Sequence, residues 1–224
     1  MELTREQLAS MIDHTNLKAF ATRDDMRRLC EEARACGFKS VAINGCQVPV
    51  CRELLADSEV QMDATVGFPL GQTSVAMKVA EAREILEGGC GEFDYVLNVG
   101  RVREGDYDYI EDEMRQLVAV AREAGAGCKV ILETCYLTNE QIERVCEVAR
   151  RVRPDFVKTS TGFGSGGATV EHVRLMKQTV GDDVQVKASG GIRDLAGALA
   201  MIEAGATRLG TSAGVSILSE LSAE

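Results

Sequence analysis

Short apolar runs alternate with longer stretches whose apolar residues recur every three or four positions, and the alternation continues along the whole chain. The short runs predict strands over 11–15, 40–43, 61–66, 93–99, 129–134, 156–160, 184–188 and 208–211. The longer stretches predict helices over 22–36, 48–56, 74–87, 107–124, 139–151, 170–180, 194–204 and from about 214 onward. Thr22 is a plausible N-cap for the first of these, Asp24 and Asp25 favour its positive end, and Gly37 closes it. Residues 1–10, MELTREQLAS, read as the start of a short charged helix and not as a leader peptide.

Strands alternating with helices imply a parallel sheet covered by helices. Eight such units in 224 residues match a single-domain (β/α)8 TIM barrel with a short N-terminal helix, the domain spanning residues 1–224. An open, doubly wound sheet is the runner-up. A barrel of this kind carries its chemistry at the carboxyl ends of the strands. Those ends are polar here: Asp13-His14-Thr15, Asn44-Gly45, Asn98, Glu133-Thr134, Lys158-Thr159-Ser160, Lys187-Ala188-Ser189 and Gly210-Thr211-Ser212.

Composition narrows the partners. With 35 acidic against 25 basic residues the formal charge is -10, which argues against nonspecific nucleic-acid binding and against an anionic membrane surface. No apolar run reaches membrane-spanning length. The 8 cysteines form no CxxC pair and no histidine cluster accompanies them, so a metal site is not expected. They read as small, mostly buried residues of a reduced, cytoplasmic protein.

Lys158 and Lys187 each follow an apolar run and precede a loop of Ser, Thr and Gly, in adjacent predicted strands. An ordinary lysine, with a pKa of about 10.4, is almost fully protonated at neutral pH. Burial and a neighbouring cation both disfavour the charge. The pair therefore suggests a nucleophile, Lys158, kept neutral by Lys187 and able to form a Schiff base with a carbonyl. The plainer alternative is that both contact a phosphate or pair with carboxylates. Asp94 shares a strand face with Val96 and Asn98, so it is either a buried ion-pair partner of Lys187 or a proton relay. Asp13 and Thr15 share a face of the first strand and reach the same cavity or form a hydrogen-bonding pair at the barrel seam. His14 points the other way and reads as structural, as does His172.

The loops Ser189-Gly190-Gly191-Ile192-Arg193 and Gly210-Thr211-Ser212-Ala213-Gly214 suit a phosphate, because small residues let backbone N–H groups approach its oxygens. Arg193 either joins them or makes a salt bridge on the following helix. Glu133 is an acid–base candidate, with a salt bridge to Lys129 or a solvated strand end as the alternatives. Gly164-Ser165-Gly166-Gly167 reads as a loop that orders over substrate or as a plain linker.

The motifs VKTSTGF (157–163), VKASGGIR (186–193), EFDYVLNVG (92–100), KVILET (129–134), IDHTNLK (12–18) and RLGTSAG (208–214) run in order through the chain and resemble deoxyribose-phosphate aldolase. The resemblance implies a (β/α)8 barrel that reversibly cleaves 2-deoxy-D-ribose 5-phosphate to acetaldehyde and D-glyceraldehyde 3-phosphate, a step of deoxyribonucleotide catabolism, without metal or organic cofactor. It implies Lys158 as the Schiff-base lysine, Lys187 as the lysine that lowers its pKa, and Asp94 as the proton-transfer group. Asp13 and Thr15 match a supporting network, and Gly162, Gly190, Gly191 and Ser212 match phosphate-binding positions. A dimer or tetramer is also implied. Ala42 stands where the family often has cysteine and Ala213 where it usually has a second serine. Other lysine-dependent sugar-phosphate aldolases or transaldolases, and a noncatalytic phosphosugar-binding barrel, are the competing readings.

Overall fold

The computed structural model describes residues 3–221. Eight parallel strands close into a barrel: β1 (Ile12–Asn16), β2 (Ser40–Asn44), β3 (Gln61–Val66), β4 (Glu92–Val96), β5 (Gly127–Ile131), β6 (Phe156–Lys158), β7 (Gln185–Ser189) and β8 (Arg208–Thr211). Each strand pairs with the next, and β8 returns to β1 through Asp13 opposite Gly210. The helices are α1 (Arg5–Ala9), α2 (Arg23–Cys36), α3 (Val48–Leu54), α4 (Val75–Glu87), α5 (Val99–Glu104), α6 (Tyr107–Ala124), α7 (Asn139–Val152), α8 (Val170–Val180), α9 (Leu195–Glu203) and α10 (Gly214–Leu221).

Period-two alternation sorts the strand residues. Val41, Ile43, Ala64, Val66, Phe93, Tyr95, Val130, Val157, Val186 and Leu209 belong to the apolar layer packed with the helices. The residues between them face the barrel interior. Ion pairs from β7 to β3 and from β8 to β4, strands that are not neighbours, are possible only across that interior. The helices form as their caps predict. The Thr22 hydroxyl accepts from the Asp25 N–H, the Asp25 carboxylate accepts from the Thr22 N–H, and Gly37 ends α2 at φ 70°. The buried face of α2 is Met26, Leu29, Cys30 and Ala33, at helical spacing. His14 points outward to Glu32 at 2.7 Å and lies against Phe38, with ring centroids 4.9 Å apart.

Three strands end sooner than the apolar pattern predicts; β6 stops at Lys158, where the pattern runs on to 160. β4 stops at Val96, not at 99, and Val99 begins α5 with Asn98 as its cap. The cause is a buried ion pair. The Lys78 ammonium of α4 donates to the Val96 carbonyl (2.7 Å) and to Glu113 of α6 (2.6 Å), while the other Glu113 oxygen accepts from the Asn98 N–H (3.1 Å). The last backbone groups of the strand are thus taken by side chains. Removing one partner of a fully buried pair leaves the other charge uncompensated. Lys78→Met is therefore expected to destabilise the fold by about 3–5 kcal/mol, and adding Glu113→Leu to recover part of that loss. Urea denaturation curves of both variants check this; a single-variant loss below about 1 kcal/mol contradicts it. β5 ends at Ile131, not at 134, because Glu133 turns left-handed at φ 54°.

Candidate active site

Inward alternation on seven strands delivers eight ionisable side chains to one place. Asp13 comes from β1, Asp63 from β3, Glu92 and Asp94 from β4, Lys129 from β5, Lys158 from β6, Lys187 from β7 and Arg208 from β8. Most are nearly inaccessible: Lys129 and Lys187 are 0 % exposed and Lys158 is 3 %. Buried charges persist only when paired, and these are. Lys187 Nζ contacts Asp13 (2.5 Å), Asp63 (2.8 Å) and Asp94 (2.7 Å). Lys129 Nζ lies 2.9–3.0 Å from Asp63, Glu92 and Asp94. Arg208 contacts Asp13 at 2.9 Å and Glu92 at 2.8 Å.

Lys158 differs from the other cations. It is opposite Lys187 in the β6–β7 register, and its Nζ touches one carboxylate, donating to Asp94 Oδ2 at 2.6 Å. That same oxygen accepts from Lys187 at 2.7 Å. Burial pushes the Lys158 pKa down. Asp94 opposes the shift, and the Lys187 ammonium adds to it. The carboxylates around Lys187 overcome its burial and hold it protonated, with a pKa above the ordinary lysine value. Lys129 is held protonated in the same way by Asp63, Asp94, Glu92 and Asp13. Although burial works against ionisation, the Lys129, Lys158 and Lys187 charges hold the Asp94 carboxyl well below the usual carboxylate range. Burial and the Asp94 charge instead push Asp63 up to about 6. With Lys158 neutral, four carboxylates face three cations, and Asp63 is the group nearest to taking up a proton. A neutral Lys158 still has an N–H for Asp94 and a lone pair for an electrophile.

Above the charges lies a cavity of about 500 Å³ lined by Thr15, Lys158, Gly162, Gly190, Gly191, Arg193 and Ser212, among others. Lys158 reaches this cavity and Lys187 does not. Gly162, Gly190 and Gly191 have φ of 86°, 85° and 82°, a conformation open to glycine at little cost. At Gly167 the requirement is space: a Cβ there would meet the Gly190 carbonyl at 2.2 Å. The Ala168 N–H donates to the carbonyls of Ser189 (3.1 Å) and Gly190 (3.0 Å). The 164–167 stretch is therefore packed against the second glycine loop and is not a plain linker.

The structure brings Lys158, Lys187, Asp94 and Asp13 together, and places Gly162, Gly190, Gly191, Ser212 and Thr15 around the cavity over them. Thr15 does not pair with the Asp13 carboxylate; its hydroxyl donates to the Asp13 backbone carbonyl at 2.9 Å. Arg193 makes no salt bridge among the described residues and lines the cavity instead. The proposed Glu133–Lys129 bridge is absent. Lys129 points into the barrel, whereas the left-handed turn at Glu133 carries its carboxylate to Thr161. Glu133 is not a solvated strand end either, being 3 % exposed. The sequence reading omitted Asp63, Glu92 and Arg208 and left Lys129 on the wrong partner. The signal for the first two was available: Asp63 shares a strand face with Gln61 and Thr65, and Glu92 precedes Asp94 by two.

Residues 8–220 match the family model described as DeoC/LacD family aldolase. The chain is 52 % identical over 213 residues to a deoxyribose-phosphate aldolase of Thermococcus gammatolerans, covering 94 % of this chain and 95 % of that one. It is 49 % identical over 221 residues to a deoxyribose-phosphate aldolase of Lactobacillus acidophilus, covering 99 % and 93 %. The solved structure of the tetrameric deoxyribose phosphate aldolase from Aeropyrum pernix superposes with a TM-score of 0.91 at 33 % identity, covering 98 % of this chain and 92 % of that one.

Proposed function

This chain belongs to the DeoC/LacD aldolase family, and from that premise we propose that it reversibly cleaves 2-deoxy-D-ribose 5-phosphate to acetaldehyde and D-glyceraldehyde 3-phosphate, with Lys158 as the Schiff-base residue. Lys158 Nζ attacks C1 of the open-chain aldehyde, and loss of water gives an iminium. The C3 hydroxyl gives up its proton as the C2–C3 bond breaks, and the bond's electrons pass into the iminium to form an enamine of acetaldehyde. Asp94, ionised and touching both lysines, takes up that proton through ordered water. Protonation of the enamine carbon and hydrolysis then release acetaldehyde and restore the amine. Gly162, Gly190, Gly191, Ser212 and Arg193 hold the phosphate; Asp13 and Thr15 support the network from β1.

The observation that carries this reading is the asymmetry between the lysines. Both touch one oxygen of Asp94, but Lys158 faces the cavity and is pushed toward neutrality, while Lys187 is enclosed among carboxylates. Adding acetaldehyde and borohydride to the purified protein is expected to attach one ethyl group, located to Lys158 by peptide mass mapping. No mass gain, or a gain on another lysine, removes the assignment, and the first result favours a noncatalytic phosphosugar binder. We read residues 1–224 as one domain, acting on a small sugar phosphate as a homo-oligomer in the cytoplasm, where reduced thiols persist. The net charge of -10 speaks against a nucleic-acid partner. No helix among the described residues is long and apolar enough to cross a membrane.

A further inference from the structure

Glu133 is buried and left-handed, a conformation costly for a residue with a Cβ. Its neighbours account for the turn. The Leu132 N–H donates to the Lys158 carbonyl (2.9 Å) and the Thr134 N–H to the Thr159 carbonyl (3.0 Å), so the chain leaving β5 stays tied to residues 158–159 on both sides of the kink. The kink aims the carboxylate at the loop that follows Lys158. One Glu133 oxygen accepts from the Thr161 N–H at 3.2 Å, and the other accepts from the Thr161 hydroxyl. Cys135 Sγ lies 3.9 Å from the first oxygen.

The Thr161 hydroxyl has one proton and two lone pairs. The proton is committed to Glu133, and one lone pair accepts from the Phe163 N–H at 3.0 Å. Only the second lone pair is left for the cavity, which Thr161 lines together with Lys158 and Gly162. Thr161 thus meets a ligand as a hydrogen-bond acceptor and not as a donor. Its place in the chain selects the ligand group. Lys158 holds the carbon chain at one end and Gly162 holds the phosphate at the other. Of the sugar hydroxyls, only that on C4 lies between the breaking C2–C3 bond and the phosphate-bearing C5.

We propose that Glu133 is a positioning residue that fixes Thr161 as an acceptor for the C4 hydroxyl, so that the site selects acceptor aldehydes carrying a hydroxyl beside the carbonyl. This rests on the aldolase reading above. A site built to pair with a substrate hydroxyl rejects an analogue that lacks the proton, because its own polar group is left without a partner. Glu133→Gln replaces one acceptor oxygen with an NH₂ donor. That group donates to Thr161 and turns the threonine proton toward the cavity.

The test measures kcat/KM for carbon–carbon bond formation between acetaldehyde and two acceptors: D-glyceraldehyde 3-phosphate, and the analogue with fluorine in place of its hydroxyl. Fluorine accepts but cannot donate. Intrinsic reactivity and the fraction of active enzyme cancel when the preference of a variant is compared with that of the parent. Glu133→Gln is expected to lower the preference for hydroxyl over fluorine by about tenfold or more. Thr161→Val is expected to lower it as far, and Glu133→Gln added to Thr161→Val to lower it no further. A preference unchanged within about twofold in Glu133→Gln overturns the proposal, as does an equal fall in the Thr161→Val background. Should Glu133→Gln fail to fold, a full preference retained by Thr161→Val overturns it alone. Failure of the borohydride trap in the parent protein would instead sink the aldolase reading, so the two failures are distinguishable.

Discussion

Lys158→Leu is expected to lower cleavage of the deoxyribose ester by about 10⁴-fold or more and to abolish borohydride trapping, yet leave the fold as stable as the parent or more so. The catalytic half follows from the proposed role of Lys158 as the amine that bonds to substrate. The stability half follows from the pairing. Lys158 is buried but contacts Asp94 alone, and Asp94 keeps Lys187 and Lys129 when Lys158 is gone. Removing this lysine relieves its burial without orphaning a carboxylate. Thermal melts beside the activity assay check both halves. Activity within about a hundredfold of the parent would put the nucleophile elsewhere.

The same substitution one strand away should behave in the opposite manner. Lys187→Leu takes a cation from Asp13, Asp63 and Asp94 together. Stranding charges in a dry interior is expected to cost about 3–5 kcal/mol of stability. Activity is expected to fall by about 10²–10³-fold through Lys158. Lys187 disfavours a proton there by its own charge, and it also shares the Asp94 oxygen that would otherwise serve the Lys158 ammonium alone. Without Lys187 the Lys158 pKa rises. Because the neutral amine is the reactive form, activity increases with pH through that pKa, so the acid limb of kcat/KM moves to higher pH in Lys187→Leu. An acid limb that stays put or moves lower refutes the coupling.

The stability difference between parent and Lys187→Leu has its own pH signature. The folded-state pKa of Lys187 lies above its ordinary value. Its contribution is therefore complete below the unfolded pKa of about 10.4 and is lost as pH rises through the folded value. Asp13 and Asp94 are shifted down, so their contributions are present above about pH 3.9 and lost on acidification through their folded values. In denaturation curves at alkaline pH, the part of the gap that the Lys187 charge contributes should be lost only above about pH 10.

Much of this site was legible before any coordinates. Lys158 and Lys187 stand at matching points of consecutive strands, and consecutive parallel strands in a βα array are neighbours, so their proximity needed only the alternation of elements. Asp94 was legible because alternation within a strand separates it from Phe93 and Tyr95, which are plainly core residues. The partners of Lys187 and Lys129 were not. Asp63 and Lys187 are 124 residues apart, and Arg208 and Glu92 are 116. Nothing local says which level of one strand meets which level of another across a closed barrel. The Glu133–Lys129 bridge fails for a related reason: the strand pattern continues through Glu133, and the Lys158 and Thr159 carbonyls hold both N–H groups that flank its left-handed turn.

While the pairing of β8 with β1 closed the barrel, sequence by itself determined the order and kind of the elements, the eight βα units, the polar ends of their strands and the pair of lysines there. Those features depend on periodicity and on neighbours in the chain, which any reader of the residues can count. Tertiary structure alone decided which lysine opens to the cavity, which carboxylates keep the other charged, where β4 and β5 stop, and which group directs the Thr161 proton. Each of these depends on stagger between strands and on side chains meeting across a closed interior. Burial multiplies the energetic weight of every such meeting, while distance along the chain carries no trace of it.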